Sequence, residues 1–290
     1  MTTSKKTSSK PSQTASKTAA KSAKSAQSAS PSAAAPKVVS DYNGYDYKKI
    51  FWEDADRKYE DLADRLAIRK LLPEHMETFV DIAGGYGRLA DEYLPRAASA
   101  TLFDYSKTEL AQAREIYGDR LQTEAGDIYS LPFKDNSFDA LMMVRATHHF
   151  ADMQKVSDQL YRILRPGGVA VIEVANKRTL PKMFRYWTKK SDINPFTLEP
   201  ACLKDLNADG FYNYHPKYME MIFRQSGFQI EKVLSVSNFR SAKLKRIFGT
   251  KNLVRLEKAT QGALAPIRFA PSIYYRLRKP TPMQAPELPQ

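Results

Sequence analysis

The sequence has a single cysteine among its 290 residues and lacks any long hydrophobic run. One thiol, Cys202, cannot form an internal disulfide or supply a cysteine-rich zinc site. It fits a reducing compartment, so we expect a cytoplasmic protein without a bound metal. Apolar stretches such as residues 140–144 fall well short of the roughly 18 to 20 residues that cross a bilayer. These absences exclude a disulfide-stapled mini-protein and predict no transmembrane segment.

Acidic residues are missing from the first 40 positions, which hold seven lysines. Residues 237–290 carry a net charge of +9, so residues 41–236 hold −3 of the overall +13. The positive charge therefore belongs to the two ends of the chain, which weakens the nucleic-acid interpretation that the total charge alone would favour. Residues 1–40 are mostly Ser, Ala, Lys and Thr, and we predict a disordered tail there.

The chain after this tail alternates short apolar runs with helical patterns. Residues 41–73 combine an aromatic stretch with a helical pattern, and we expect a lid there. Strand-like runs follow at residues 78–83, 100–103, 121–123, 140–144 and 169–174, with helical patterns at 88–93, 107–117 and 153–164. This alternation predicts an α/β fold whose parallel sheet is covered by helices on both faces. A ligand should bind at the carboxyl ends of the strands.

Residues 41–290 are expected to form one domain, with two insertions near its end. We predict a substrate-side insertion at about residues 190–215 and a basic helical insert at about residues 240–265. Strand patterns at residues 228–236 and 272–277 flank the insert and should form an antiparallel edge pair. The insert mixes apolar and basic residues, which suits either packing on the domain or peripheral contact with an anionic membrane.

The strongest motif is a strand that ends in an acid and turns through glycines into a helix. It reads Asp-Ile-Ala-Gly-Gly-Tyr-Gly-Arg from Asp81 to Arg88. The glycine spacing alone also fits a dinucleotide-binding turn. The carboxylate of Asp81, however, would repel a pyrophosphate and would suit a ligand that carries an ammonium or a sulfonium group. S-adenosylmethionine carries both groups.

Two further acids end the next two strands, each 23 residues after the previous one. At these places Asp104 could accept hydrogen bonds from both ribose hydroxyls, and Asp127 could accept one from an adenine amino group. Tyr105 and Ile128 follow these acids and would flank the base with apolar surface. One acid at a strand end is usually a helix cap or a solvated loop residue. Three of them behind a glycine turn favour a nucleoside site.

The ordered motifs of the chain resemble those of the class I S-adenosylmethionine-dependent methyltransferases. They are Gly-Asp-Ile-Tyr-Ser-Leu-Pro-Phe at residues 126–133, Ser-Phe-Asp-Ala at 137–140 and Leu-Arg-Pro-Gly-Gly at 164–168. The resemblance covers about residues 60–178 and implies a Rossmann-like, seven-stranded, mostly parallel sheet with a reversed last strand. It also implies S-adenosyl-L-methionine as the cofactor. The residues expected to contact it are Asp81, Ala83, Gly84, Gly85, Gly87, Asp104, Tyr105, Asp127, Ile128 and Arg145. The family has glycine where this chain has Ala83.

Two adjacent histidines, His148 and His149, follow the fourth predicted strand, where the family places residues that face the methyl group. A histidine with a pKa near neutrality could take a proton from a hydroxyl or amine as it attacks. Alternatively, one ring could hydrogen-bond to the loop and the other could cap the next helix. We name both as candidate catalytic residues.

The function predicted from the sequence is methyl transfer to an O, N or C nucleophile of a small-molecule acceptor. Such a reaction needs mainly alignment and desolvation, because the sulfonium is already a good leaving group. An RNA methyltransferase would explain the basic ends, but the chain lacks an Asn/Asp-Pro-Pro-Tyr tetrad after the fourth strand. A non-catalytic cofactor-binding protein is the third hypothesis, and turnover with a trial acceptor would separate it from the others.

Overall fold

The structure is a computed structural model that describes Trp52, residues 57–203 and residues 211–281. In this part of the chain the strands are β1 Met76–Ile82, β2 Ala97–Asp104, β3 Gln122–Ala125, β4 Phe138–Met143, β5 Leu164–Ala175, β6 Ala201–Leu203, β7 Phe211–Asn213, β8 Gln229–Val236 and β9 Ser272–Arg278. The α-helices are α1 Lys58–Leu71, α2 Ala90–Tyr93, α3 Lys107–Tyr117, α4 Met153–Ile163, α5 Leu180–Trp187, α6 Pro216–Gln225 and α7 Ala242–Ala263. The predicted tail, residues 1–40, lies outside the described residues.

The main sheet of the described residues has seven strands in the order β3-β2-β1-β4-β5-β9-β8. Strands β1 to β5 pair in parallel, whereas β9 is antiparallel to both of its neighbours. The predicted mostly parallel sheet with a reversed last strand is therefore confirmed. The chain moves outward from β1 through β2 to β3 and then returns to β4. The switch in direction between β1 and β4 leaves a crevice at the carboxyl ends of these strands, where ligands of such sheets bind.

The C-terminal strands form the predicted antiparallel pair at one edge of the sheet, in an order that the sequence did not predict. Strands β8 and β9 do pair antiparallel, but only β8 lies at the edge, because β9 inserts between β5 and β8. Consecutive residues Ile273, Tyr274 and Tyr275 are all fully buried. A strand covered on both faces has apolar side chains at consecutive positions, as β9 has from Ile273 to Tyr275. The predicted substrate-side insertion also contains a short antiparallel hairpin, β6 with β7, which three-residue strands do not reveal in a sequence.

Two hydrophobic clusters form the core, one on each face of the sheet. Along β4, Leu141 and Met143 face the first cluster, whereas Ala140 and Met142 face the second. Helices α4 and α6 contribute to the first cluster, and α1 and α3 contribute to the second. The helices on both faces thus explain why the inner strands are apolar without alternation.

The helical part of the predicted lid is built into the second cluster. The fully buried hydrophobic residues of α1 are Tyr59, Ala63, Ala67, Ile68 and Leu71. Helix α7 packs beside α1, and its Glu257 accepts hydrogen bonds from the hydroxyl of Tyr59 (2.7 Å) and the backbone N–H of Ser237 (2.8 Å). The second half of the basic insert is therefore anchored on the domain. None of the described helices is long and apolar enough to cross a membrane.

Candidate active site

A cavity opens at the carboxyl ends of β1, β2 and β4, at the switch point of the sheet. It encloses about 1020 Å³, counting solvent at its mouth. Its walls include the predicted cofactor residues Asp81, Ala83, Gly84, Gly85, Asp104, Tyr105, Asp127, Ile128 and Arg145. The structure thus brings the three strand-end acids into one cavity. Gly87 lies behind the wall, where its carbonyl accepts a hydrogen bond from the hydroxyl of Tyr117 (2.9 Å).

The turn after β1 depends on glycine for two different reasons. Gly85 and Gly87 have φ angles of +58° and +78°, in the left-handed region that L side chains rarely adopt. At Gly84 the reason is space. A Cβ there would lie 2.4 Å from the side chain of Leu102 and 2.6 Å from the carboxylate of Asp81. A side chain at Gly84 would therefore displace the buried acid.

Ala83 stands in the same turn with a φ of +54°. An alanine in this conformation is strained by roughly 1–2 kcal/mol because its Cβ approaches the carbonyl oxygen. The family has glycine here, so this chain keeps the backbone shape at an energetic cost. The methyl group also lies in the cavity wall, beside Gly84.

Asp81 is the most deeply buried of the three acids, with 2% of its surface exposed. Burial raises the pKa of its carboxyl well above the usual range, the Arg88 cation acts against this rise, and the charge of Asp104 adds to it. A desolvated carboxylate of this kind gains free energy when a cation binds beside it. Asp81 therefore fits a ligand that carries an ammonium group.

The other two acids are braced by backbone N–H groups. Asp104 accepts hydrogen bonds from the N–H of Gly85 at Oδ2 and from the N–H of Ser106 at Oδ1, both at 2.8 Å. Each carboxylate oxygen can accept a further hydrogen bond, so both ribose hydroxyls could still be bound. Asp127 accepts from the N–H of Tyr129 (2.9 Å), which caps a short 3-10 helix. Asp127 thus acts as a cap and a cavity residue at once.

A buried ion cluster that the sequence analysis missed connects two walls of the cavity to α1. The carboxylate of Asp64 accepts hydrogen bonds from Arg145 (2.9 and 3.1 Å), Arg88 (3.0 Å) and the hydroxyl of Tyr274 (2.8 Å). Burial acts to raise the pKa of Asp64, but Arg145 and Arg88 outweigh it and hold that pKa below the usual value. The sequence does contain one sign of this cluster, because Asp64 is an acid on the apolar face of α1.

Arg145 is consequently held from several sides. Its guanidinium binds Asp64, and its backbone N–H donates to Glu173 (3.1 Å) with φ at +60°. It lines the cavity, but its charge is already balanced by Asp64, so direct contact with a cofactor stays a prediction. Arg88 is fixed in a similar way, since it also binds Asp61 and stacks over the ring of Trp52, 3.7 Å from the centroid.

The two histidines lie in a 3-10 turn after β4 with their ring centroids 4.0 Å apart. His149 lines the cavity with the three acids, whereas His148 faces a second cavity. Burial lowers the pKa of His149 to about 4. Burial also lowers the pKa of His148 well below its usual value, and the neighbouring His149 adds to this effect. Both rings are therefore neutral near pH 7, able to accept a proton but weakly basic.

The second cavity lies beyond the histidine pair and encloses about 530 Å³, counting open solvent. Lys182 reaches it and donates to the side chain of Asn213 (3.0 Å) and to the carbonyl of Asn176 (2.9 Å). Burial lowers the pKa of Lys182 to about 8, helped by the nearby Arg240 and Lys177. Other residues of its wall are Arg145, His148, Glu173, Thr179, Arg240 and Ser272. Arg145 lines both cavities, so the two are neighbours.

Residues 80–172 match the sequence model of a family described as a methyltransferase domain. The matched segment includes the glycine turn, the three acids and both histidines. The match confirms the resemblance drawn from the ordered motifs. Among the described residues, no group of three or more His, Cys, Asp or Glu side chains is arranged to hold a metal ion.

Curated relatives share part of this segment. A protein named ubiquinone/menaquinone biosynthesis C-methyltransferase UbiE from Cereibacter sphaeroides is 31% identical over 125 residues, 40% of this chain and 49% of the relative. One of the same name from Roseobacter denitrificans is 26% identical over 185 residues, 61% of this chain and 72% of the relative. The chain thus spans about half the length of the first of these relatives.

Solved structures share the fold at lower identity. An S-adenosylmethionine dependent methyltransferase from Mesorhizobium loti superposes with a TM-score of 0.52 and 19% identity. The alignment covers 74% of this chain and 97% of that protein. At this level of identity the likeness establishes the architecture of the sheet and helices, and the site must be argued from its own residues.

We expect Ala83→Gly to stabilise the protein. Glycine adopts the left-handed turn without strain, which outweighs its greater freedom in the unfolded chain, so the free energy of unfolding should rise by up to about 1 kcal/mol. Chemical denaturation measures this change. The control is Ala111→Gly on the exposed face of α3, which should lower stability by about 1 kcal/mol. A loss of that size at position 83 would contradict the argument.

Asp64→Asn should destabilise the protein strongly, by about 3–5 kcal/mol, because it leaves Arg88 and Arg145 without their buried counter-charge. Since the pKa of Asp64 is depressed in the folded state, its stabilising effect is present above the unfolded pKa and is lost as the pH falls through the folded pKa. The difference in the free energy of unfolding between the native chain and the variant, measured by denaturation, should therefore become smaller as the pH is lowered.

A matched control for this change is the exposed Asp119, whose replacement by Asn should shift stability by no more than about 0.5 kcal/mol. If Asp64→Asn does not fold, Tyr274→Phe removes one hydrogen bond to the same carboxylate and should cost about 1–3 kcal/mol. Equal stabilities for the Asp64 and Asp119 variants would refute a central role for the cluster.

Proposed function

We propose that this chain, which has the class I methyltransferase fold and a methyltransferase domain over residues 80–172, transfers a methyl group from S-adenosylmethionine to a small-molecule acceptor. The observation that carries the proposal is the buried carboxylate of Asp81, set against a glycine turn in a cavity that also contains Asp104 and Asp127. Acids at three successive strand ends suit a ligand with a cationic end and a nucleoside.

The residues present fit this cofactor, which supplies an activated methyl group on its sulfonium. Asp81 would receive the ammonium group, because its raised pKa reflects a carboxylate that lacks sufficient positive charge nearby. Asp104 would accept hydrogen bonds from the ribose, and Asp127 from the adenine amino group. Ile128 and Tyr105 would cover the base with apolar surface. Each of these assignments is part of the proposal.

The dinucleotide alternative fits less well. A pyrophosphate at the turn would bring two negative charges toward Asp81, which is already penalised by burial and by the charge of Asp104. Arg88, the cation that lowers the pKa of Asp81, is bound by Asp64 and Asp61 and is stacked on Trp52. The charges around the turn therefore favour a cationic ligand.

The acceptor is assigned to the second cavity, on the far side of the histidine pair. Lys182 and Arg240 contribute positive charge to its wall, and Glu173 contributes a negative charge. An acceptor that carries an anionic group would be favoured by this arrangement. His149 on the cofactor side and His148 on the acceptor side are both neutral at pH 7, so either could accept a proton from the nucleophile.

The relatives' names suggest which acceptors to try first. They are called C-methyltransferases of ubiquinone and menaquinone biosynthesis, so a quinone precursor with a carbon nucleophile is a reasonable trial acceptor for this chain. RNA methylation has weaker support, because the described cavities are small and carry three acids on the cofactor side. A binding protein without turnover is the remaining alternative.

Two further expectations belong to this proposal. Placement in the cytoplasm rests on the single cysteine, Cys202, which is free and exposed. Contact with an anionic membrane was suggested by the basic pattern at residues 243–258. In α7, however, Leu253 and Glu257 are buried against the domain, and the helix is interrupted at Gly249 (φ +70°). These features make α7 poorly suited to lie on a membrane surface.

Calorimetric titration with S-adenosylmethionine, S-adenosylhomocysteine and NAD tests the cofactor assignment. Both sulfur ligands should bind the native chain and NAD should not. Asp81→Asn and Asp104→Asn should each weaken binding about tenfold or more, because each removes a charge-assisted hydrogen bond. The exposed Asp119→Asn serves as the matched control and should bind as the native chain does. Preference for NAD would overturn the assignment.

The same titration has a pH dependence with a defined sign. The ammonium group needs ionised Asp81, whose pKa is raised in the free protein, so affinity should fall as the pH is lowered through that raised pKa. In Asp81→Asn this fall should disappear. Identical pH profiles for the native chain and the variant would argue that Asp81 does not meet the ligand.

A further inference from the structure

Helix α5 carries its apolar face outward. Leu180, Phe184 and Trp187 follow the i, i+4, i+7 spacing of one helix face, yet 58%, 61% and 64% of their surfaces are exposed. The buried side chain of the helix is Met183. An amphipathic helix in a globular protein normally turns its apolar stripe toward the core. Leaving this stripe in water costs free energy unless something covers it.

The exposed apolar surface continues into the segment that follows the helix. Phe196 and Leu198 are 41% and 46% exposed, and the ring of Phe196 stacks on that of Trp187 with centroids 6.0 Å apart. We refer to Leu180, Phe184, Trp187, Phe196 and Leu198 together as the α5 patch. Contiguous apolar surface with aromatic residues marks an interaction site more often than scattered exposed leucines do.

Basic residues surround this patch. Arg185, Lys189 and Lys190 are exposed in and directly after α5, and Asp192 and Glu199 are exposed in the following segment. Lys177 is buried and Lys182 lines the second cavity, so neither adds charge to this surface. The apolar side chains and the three cations of α5 and its end favour a partner with an apolar interior and a negative surface. An anionic lipid bilayer offers both, and tryptophan beside cationic residues is typical of segments that lie at its interface.

The inner side of the same helix connects this surface with the proposed acceptor cavity. Thr179, the N-cap of α5, and Lys182 line the second cavity. A helix that lay in the membrane interface would thus place one face against lipid and the other against the acceptor. This connection distinguishes α5 from α7, whose second half is packed on α1 through Glu257 and Gln261.

We propose that the α5 patch docks the protein on the surface of an anionic lipid bilayer. Phe184 and Trp187 enter the boundary between headgroups and acyl chains, and Arg185, Lys189 and Lys190 meet the anionic headgroups. The docking does not depend on methyl transfer, so it can fail or succeed separately from the proposed function.

Co-sedimentation of the full chain with vesicles tests the docking. Vesicles of phosphatidylglycerol and phosphatidylcholine should bind the protein, and vesicles of phosphatidylcholine alone should bind it at least tenfold more weakly. The double variant Phe184→Ser/Trp187→Ser should lose at least tenfold in affinity for the anionic vesicles. Ile116→Ser and Met221→Ser, each at a position 42% exposed elsewhere on the domain, are the matched controls and should bind normally.

Tryptophan fluorescence locates the contact. The chain has two tryptophans, so Trp52→Phe leaves Trp187 as the sole reporter. Its emission should shift to the blue on anionic vesicles and be quenched by brominated acyl chains. In free protein, acrylamide should quench Trp187 readily. Protection from acrylamide without lipid would mean that another segment of the chain covers the patch, and the proposal would then be wrong.

The lysine-rich residues 1–40 could attract anionic vesicles by charge alone, and the measurements separate this case. Such binding would persist in Phe184→Ser/Trp187→Ser and would leave the emission of Trp187 unchanged. That pair of results would overturn docking through α5. Loss of binding in the Ile116→Ser or Met221→Ser controls as well would also overturn it.

Discussion

The buried carboxylate of Asp64 is the interaction on which the candidate site depends. It joins α1 to Arg88 in the glycine turn and to Arg145 in the loop after β4, so two walls of the cofactor cavity share one counter-charge. Tyr274 of β9, on the face of the sheet that α1 covers, donates a further hydrogen bond to Asp64. Removing two cations and an acid from water is costly, and their mutual bonding offsets that cost only in this one arrangement.

Asp81 of the cofactor cavity has the opposite electrostatic environment to that of Asp64. Asp81 is buried with too little positive charge around it, which raises its pKa, whereas Asp64 is saturated and its pKa is depressed. The first is suited to meeting a cationic ligand and the second to holding the framework. Beyond the histidines, Lys182 gives the second cavity a different charge, so a cationic cofactor and an anionic acceptor would be sorted electrostatically.

Local sequence patterns were enough to predict most of the architecture and the position of the strand-end acids, whose contact with a cofactor stays a prediction. The apolar runs predicted the parallel strands, and the acids at their ends predicted residues that the structure places in one cavity. Asp64 and Arg145 are 81 residues apart in sequence, so their pairing leaves no local pattern. The insertion of β9 between β5 and β8 is likewise a long-range event. The outward orientation of the apolar face of α5 could not be predicted, because residue spacing indicates an apolar stripe on a helix but not the direction that the stripe faces.

A crystal structure of the protein with S-adenosylhomocysteine would show directly whether Asp81, Asp104 and Asp127 bind the cofactor. We expect its ammonium group within hydrogen-bond distance of Asp81, its ribose hydroxyls on Asp104 and its adenine between Tyr105 and Ile128. The glycine turn and the cluster around Asp64 should keep their present contacts. Electron density for the ligand outside this cavity, or a ribose away from Asp104, would show that these acids do not form the cofactor site.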